Sequence, residues 1–342
     1  MDARLRKLCL MLACTVAATS TRAETQGIEK RDVKIAVGSK VGLFFLPTML
    51  AEYLGYYKDE GLNVQIVDLG SGGKALEALV GKSVDVTSGA YDHTVQLNAK
   101  NIPLEAFVLQ AKLADYAVGT VKGKIPDYRS PKDLKGKKIG ISSPGAGSDM
   151  FLKLVLAKSG VKPEDVSVIS VGLGSAAVAA VQRGELDAIA NNDPVLTVLQ
   201  ESGDIRVIAD ARTPEGSKEY YGSETYPAGC FFAYSDFIKD NPNTVQGLTN
   251  AMVRTLRWLH QATPDQVMKV LPKEFAGGHP AILRKMLLKL LPTYSPDGVF
   301  PADGGEVAYR ALAQFYPSVR AAKIDVSRTF TNAFVQRALA NK

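Results

Sequence analysis

The stretch LGSGGKALEALVGKSVDVTSGAYD, from Leu69 to Asp92, returns in altered form as VGLGSAAVAAVQRGELDAIANND, from Val171 to Asp193. Aligned without gaps at an offset of 102, Gly70 meets Gly172, Gly72 meets Gly174, Leu79 meets Val181 and Asp85 meets Asp187. Both copies read alike. A strand ends at glycines, a helix of small and aliphatic residues follows, a polar Gly turn stops it, and a strand carrying Asp runs into a polar loop. With a two-residue insertion the match extends upstream, setting KIAVGSK (Lys34–Lys40) against KIGISSP (Lys138–Pro144), so each copy is β-α-β-α-β. A repeated supersecondary unit implies two similar lobes. Alternating strands and helices place each lobe in the α/β class, with a mostly parallel sheet covered on both faces. Ligands of such sheets bind beyond the carboxyl ends of the strands. The echoed loops all fall there, so a cleft between the lobes is where function belongs.

Composition sets the outer limits. The 342 residues are 46% hydrophobic and 22% charged, with a mean hydropathy near zero, which suits a globular chain of two domains. MDARLRKLCLMLACTVAATSTRA opens with Arg4, Arg6 and Lys7 before an apolar run and ends in small residues at Ala23. That pattern predicts a secretory signal over 1–23 and a protein working in the periplasm. A lipoprotein reading at Cys14 fits less well, because Met and Leu precede it. Beyond the signal only Cys230 remains, so the mature chain has no internal disulfide. Without the signal the net charge falls from +6 to about +3. No basic stripe with interleaved aromatics appears, which argues against nucleic acid.

Along the chain, strands are expected at Lys34–Val37, Leu62–Asp68, Ile102–Gln110, Val166–Val171, Ile205–Ala209 and Cys230–Tyr234, besides those of the repeat. Glu24–Arg31 reads as a loose arm and Thr213–Ala228, rich in Gly, Pro and Tyr, as a loop. After Pro242 the chain is helical, punctuated by Pro and Gly. Crossings near residues 114–122 and 229–234 divide it into a first lobe (33–116 and 233–342) and a second (117–232). A double crossing is the arrangement of hinged closure around a ligand.

Four phrases carry a resemblance: LAEYLGYYKDEGLNVQIVDLGSG, DLKGKKIGISSPGAGSDMFLKLVLAKSGV, RGELDAIANNDP and NPNTVQGLTNAMVRTLRWLHQATPDQV. In this order they resemble the periplasmic solute-binding proteins of ABC importers for aliphatic sulfonates, taurine, nitrate and the pyrimidine precursor of thiamine. The resemblance covers nearly all of the chain after the signal. It implies the two-lobed periplasmic-binding-protein fold, no catalysis, no cofactor, action as a monomer, and delivery of a small, usually anionic solute to a membrane permease. Eukaryotic relatives make the thiamine pyrimidine with an active-site histidine and a cysteine-rich iron motif, and no such cysteine cluster occurs here. A regulator's sensing domain is a third reading, but nothing resembling a DNA-binding unit precedes the first strand.

The candidate contacts follow from the loops. Ser39, Lys40, Ser71, Gly72 and Gly73 are expected on one wall; Ser143, Gly145, Gly147, Ser148, Gly174, Ser175, Asn192 and Asp193 on the other. Helices opening at these glycines point free N–H groups at the cleft, a natural seat for an anion. Gly70 and Gly172 read instead as tight turns. GLGSAA also matches a dinucleotide pattern, but it follows the second strand of its unit, and SPGAGS lacks the Lys of a phosphate loop. Phe44, Tyr91, Tyr116 and Tyr226, at strand ends or crossings, offer an aromatic lining; either Phe44 or Phe45 can face the cleft. Lys40 and His93 are the nearest cationic side chains. A lone His without a second ligand at suitable spacing argues against a metal. Asp193 reads as an acceptor for an amine or, more simply, as a cap beside Pro194. The solute so described is a small organic anion, sulfonate or carboxylate, with a neutral pyrimidine as the alternative.

Overall fold

In a computed structural model describing residues 27–276 and 279–340, the echoed segments build two five-stranded sheets. The proposed signal, with Cys9 and Cys14, lies outside those residues. The strands are β1 (Asp32–Val37), β2 (Asn63–Asp68), β3 (Val86–Ala90), β4 (Leu104–Leu109), β5 (Ala117–Val121), β6 (Lys138–Ile141), β7 (Ser167–Ser170), β8 (Ala188–Asn191), β9 (Ile205–Asp210) and β10 (Gly229–Tyr234). The orders are β2-β1-β3-β10-β4 and β7-β6-β8-β5-β9, the same permutation twice. In each sheet the fourth strand, β10 or β5, runs antiparallel to both neighbours. It follows a crossing from the other sheet.

The repeat is also written in hydrogen bonds. Asp85 accepts from the backbone N–H of Lys34 at 2.9 Å, and its counterpart Asp187 accepts from Lys138, the counterpart of Lys34, at 2.8 Å. Each carboxylate ties the start of the repeat's first strand to the foot of its third. Gly70 and Gly172 both take the left-handed conformation, φ 77° and 74°, as turns at the end of the second strand require. β3 is buried along its whole length, as is expected of a central strand covered on both faces.

Beyond β10 the helix Pro242–Gln261 lays Val245, Leu248, Met252, Leu256 and Leu259 into the first lobe. The helix Gly304–Ala313 touches Asp92–Asn98 in the first lobe and both Gly147–Lys158 and Pro214–Tyr221 in the second. Among the described residues no helix is long and apolar enough to cross a membrane.

Three expectations are corrected. The segment read as a loop from Thr213 contains the helix Pro214–Tyr221: Thr213 Oγ1 accepts from the N–H of Gly216, Pro214 opens the helix, and Gly222 closes it at φ 79°. These start and stop residues are the same types that make turns, which is why the segment reads ambiguously. The arm is tied down at Glu29, whose carboxylate accepts from the N–H groups of Asn243 and Thr244 at the start of a long helix. Finally, the return crossing precedes Gly229, so residues 229–232 belong with the first sheet rather than the second lobe.

Candidate functional site

The carboxyl ends of the parallel strands face each other across a closed seam. Between them lies a cavity of about 20 Å³, lined from the first lobe by Phe44, Phe45, Gly72, Gly89, Ala90 and His93. Tyr116, Ser142, Ala146, Gly147, Ser148, Leu173 and Asn192 line it from the hinge and the second lobe. That volume suits a water-sized group, so a larger solute enters only if the walls part. Phe44 and Tyr116, at the hinge end of the seam, stack with ring centroids 5.8 Å apart. Both phenylalanines line the cavity, which answers the choice that the sequence leaves open. Two helices of opposite lobes, Gly72–Val80 and Gly147–Lys158, begin at it. Their first N–H groups have no intrahelical partner.

The walls are held from behind. Ser71 caps the first of these helices, its Oγ accepting from the N–H of Lys74 at 3.3 Å. Ser148 Oγ is 2.8 Å from Ser142 Oγ and accepts from the Ser142 N–H, while Asp149 accepts from the N–H of Gly145 and from Lys153. The lobes approach closely at Gly73: a Cβ there would lie 2.7 Å from the carbonyl oxygen of Pro144 and 2.7 Å from Ser143 Oγ. A Cβ on Gly147 would run into the Tyr116 hydroxyl. His93 Nε2 is 3.1 Å from the carbonyl oxygen of Gly145 across the seam. Burial pushes its pKa down to about 4, against the smaller upward pull of that carbonyl. Its Nδ1 and the Ser143 hydroxyl are buried without a partner. No Lys or Arg among the described residues lines the cavity.

The NMT1/THI5-like family matches residues 44–266, well over half of the chain. The chain belongs to that family. A solved protein from Bordetella bronchiseptica RB50 is 45% identical, with a TM-score of 0.90 over 92% of this chain and 99% of that one. The alkanesulfonate-binding protein SsuA from Xanthomonas axonopodis pv. citri, solved bound to MOPS, superposes at TM-score 0.71 with 20% identity, over 90% of this chain and 100% of that one. This likeness shows the two-lobed periplasmic-binding-protein fold. Among curated relatives, those of Brucella abortus are 29% identical over 148 residues, so the match spans 43% of this chain and 43% of theirs. The 4-amino-5-hydroxymethyl-2-methylpyrimidine phosphate synthase of Schizosaccharomyces pombe is 27% identical over 66% of this chain and 62% of its own. The taurine-binding periplasmic protein of Escherichia coli is 24% identical over 63% and 65%.

In this NMT1/THI5-like chain several residues expected at the cleft lie elsewhere. Tyr91 is buried under Phe300 and Phe330, its hydroxyl against Thr329, because it sits at the helix start rather than in an open loop. Tyr226 stacks on Tyr221 and donates to the Asp92 carboxylate. Lys40 is exposed, its backbone N–H bonded to Asp68, and Ser39 Oγ accepts from the N–H of Val41. Gly174 and Ser175 do not line the cavity, and Ser175 is exposed; Leu173, between the echoed glycines, lines it instead. Asp193 caps the next helix, accepting from the N–H of Thr197 at 2.8 Å, and meets Arg212 at 3.3 Å. Ser142, Ala146, Gly89 and Ala90 escaped the sequence reading. Ala146, flanked by the candidates Gly145 and Gly147, is the nearest of them to the expected contacts.

Asp193 and Arg212 belong to a larger groove of about 670 Å³, lined also by Lys112, Asp210, Glu224 and Lys289. Size does not make it the better site. Its buried guanidinium is already committed to Asp193 and Asp210, whereas the small cavity joins two helix starts to buried polar atoms that lack partners.

Proposed function

We propose that this protein is the exported solute-binding component of an ABC importer, working in the periplasm as a monomer without catalysis or a cofactor. In this reading it captures a small organic anion, sulfonate or carboxylate, and hands it to the membrane permease. One observation carries the reading: the starts of helices Gly72–Val80 and Gly147–Lys158, one from each lobe, converge on a single cavity with no Lys or Arg among the described residues in its lining. Free N–H groups at a helix start bind anions through hydrogen bonds and the macrodipole together. The unpartnered Ser143 hydroxyl at the seam adds a donor. Phe44, Phe45 and Tyr116 supply an apolar body for the rest of the solute. The taurine-binding and alkanesulfonate-binding relatives support the same solute class.

A second reading, a neutral pyrimidine, is favoured by the uncharged His93 and by the pyrimidine phosphate synthase relative. The enzyme itself is a poor fit, since Cys230 stands alone outside the proposed signal and is buried against the carbonyl of Gly89. Isothermal titration against sulfonates, aromatic carboxylates, nitrate and thiamine pyrimidine precursors separates the readings. A sulfonate or carboxylate is expected to bind with a micromolar or tighter Kd, about −8 kcal/mol. Binding of the pyrimidines alone would replace the anion by the heterocycle. Binding of none would end the solute-capture reading.

A further inference from the structure

His93 joins the lobes and keeps one lone pair free. Its ring is fully buried on the first-lobe helix Asp92–Asn98, edge-on to Phe232 at 5.9 Å between centroids, and it lines the cavity. Nε2 lies 3.1 Å from the carbonyl oxygen of Gly145 in the second lobe. A carbonyl oxygen only accepts, so in the closed form Nε2 carries the proton. In a neutral imidazole the other nitrogen is then a bare acceptor, and burial keeps this ring neutral. Nδ1 has no partner in the protein. The hydrogen bond that spans the seam therefore also decides what the cavity asks of its occupant.

We propose that His93 makes the site selective for solutes carrying an N–H or O–H donor beside their anionic group, the donor meeting Nδ1 while the helix starts hold the anion. The inference rests on the interlobe cavity being the solute site. A solute with acceptors only, such as nitrate or ethanesulfonate, would face the Nδ1 lone pair with another lone pair and leave a buried acceptor unsatisfied. Sites built around a buried polar group discriminate strongly against the analogue that fails to pair with it.

The test is calorimetry at pH 7.5 with matched pairs: taurine and 2-hydroxyethanesulfonate against ethanesulfonate, and 4-hydroxybenzoate against benzoate. The unaltered protein is expected to prefer the donor-bearing member of at least one pair by tenfold or more. His93→Phe, which keeps a ring and removes both nitrogens, should erase the preference. His93→Asn, which offers an acceptor near the Nδ1 position but loses the Gly145 bond, should retain the preference at lower affinity. Ring ¹⁵N spectra of the complex should show a protonated Nε2 and a bare Nδ1. Equal or tighter binding of the donor-free members, a preference that survives in His93→Phe, or a doubly protonated ring would each overturn the inference while leaving solute capture standing. No binding by either member of any pair would overturn the inference together with the sulfonate or carboxylate reading on which it rests.

Discussion

Gly73 is the residue on which closure depends most directly. A side chain there would meet the backbone oxygen of Pro144, which cannot swing aside as a flexible tip can. Gly73→Val is therefore expected to leave the circular dichroism spectrum unchanged while weakening solute binding beyond tenfold, about 1.4 kcal/mol; calorimetry on the folded variant checks it, and unchanged affinity would contradict it. Asp92 and His93 make a second residue-scale prediction, because burial shifts these neighbours in opposite senses. Burial raises Asp92 to about 6, against the lowering effect of the Tyr226 hydroxyl. Protonated Asp92 thus favours the folded state at acid pH, and that contribution is lost as pH rises through about 6. His93, lowered to about 4, contributes above its ordinary range and loses that contribution as pH falls towards 4. The two effects oppose each other between about pH 4 and 6. Asp92→Asn removes only the first, so its melting temperature relative to the unaltered protein should be several degrees higher at pH 7.5 than at pH 5. A difference that does not change with pH would count against the buried, proton-binding carboxyl.

At the scale of elements, the paired aspartates are the repeat's joints. Asp85→Ala and Asp187→Ala each remove a carboxylate that accepts from a backbone N–H of an inner strand, Lys34 within β1 and Lys138 at the start of β6. Each is expected to cost about 1 kcal/mol of stability, read as a lower thermal midpoint with solute affinity unchanged; an effect in only one lobe would contradict their equivalence. These pairs also explain what the sequence made legible. Gly70 with Gly172 and Asp85 with Asp187 serve backbone geometry within one lobe, so their spacing records the fold. The cavity lining was only partly legible, because a loop residue's direction depends on the other lobe and on the tail. Tyr91 turns away because Phe300 and Phe330 receive it from more than two hundred residues along the chain. Leu173 reaches the cavity although its neighbours in the same turn do not. The helix from Pro214 was hidden for a different reason: its cap, Pro start and Gly stop enclose a polar, tyrosine-ended stretch with little apolar periodicity.

For the whole molecule, closure around a solute requires that the solute bridge both lobes. Only differential affinity for the closed form shifts a population towards it, and moving from 1% to 99% closed takes about 5.5 kcal/mol. Contacts from one lobe are equally available when the lobes are apart, so they supply none of that difference. Here the seam brings together His93 with Gly145 and Gly73 with Pro144, beside the stacked rings of Phe44 and Tyr116 at the hinge. Small-angle X-ray scattering with and without a solute that calorimetry shows to bind is the most direct measurement of this claim. The expected result is a smaller radius of gyration on binding, with the change lost in Gly73→Val. Tight binding that leaves the scattering curve of the unaltered protein unchanged would contradict closure around the solute.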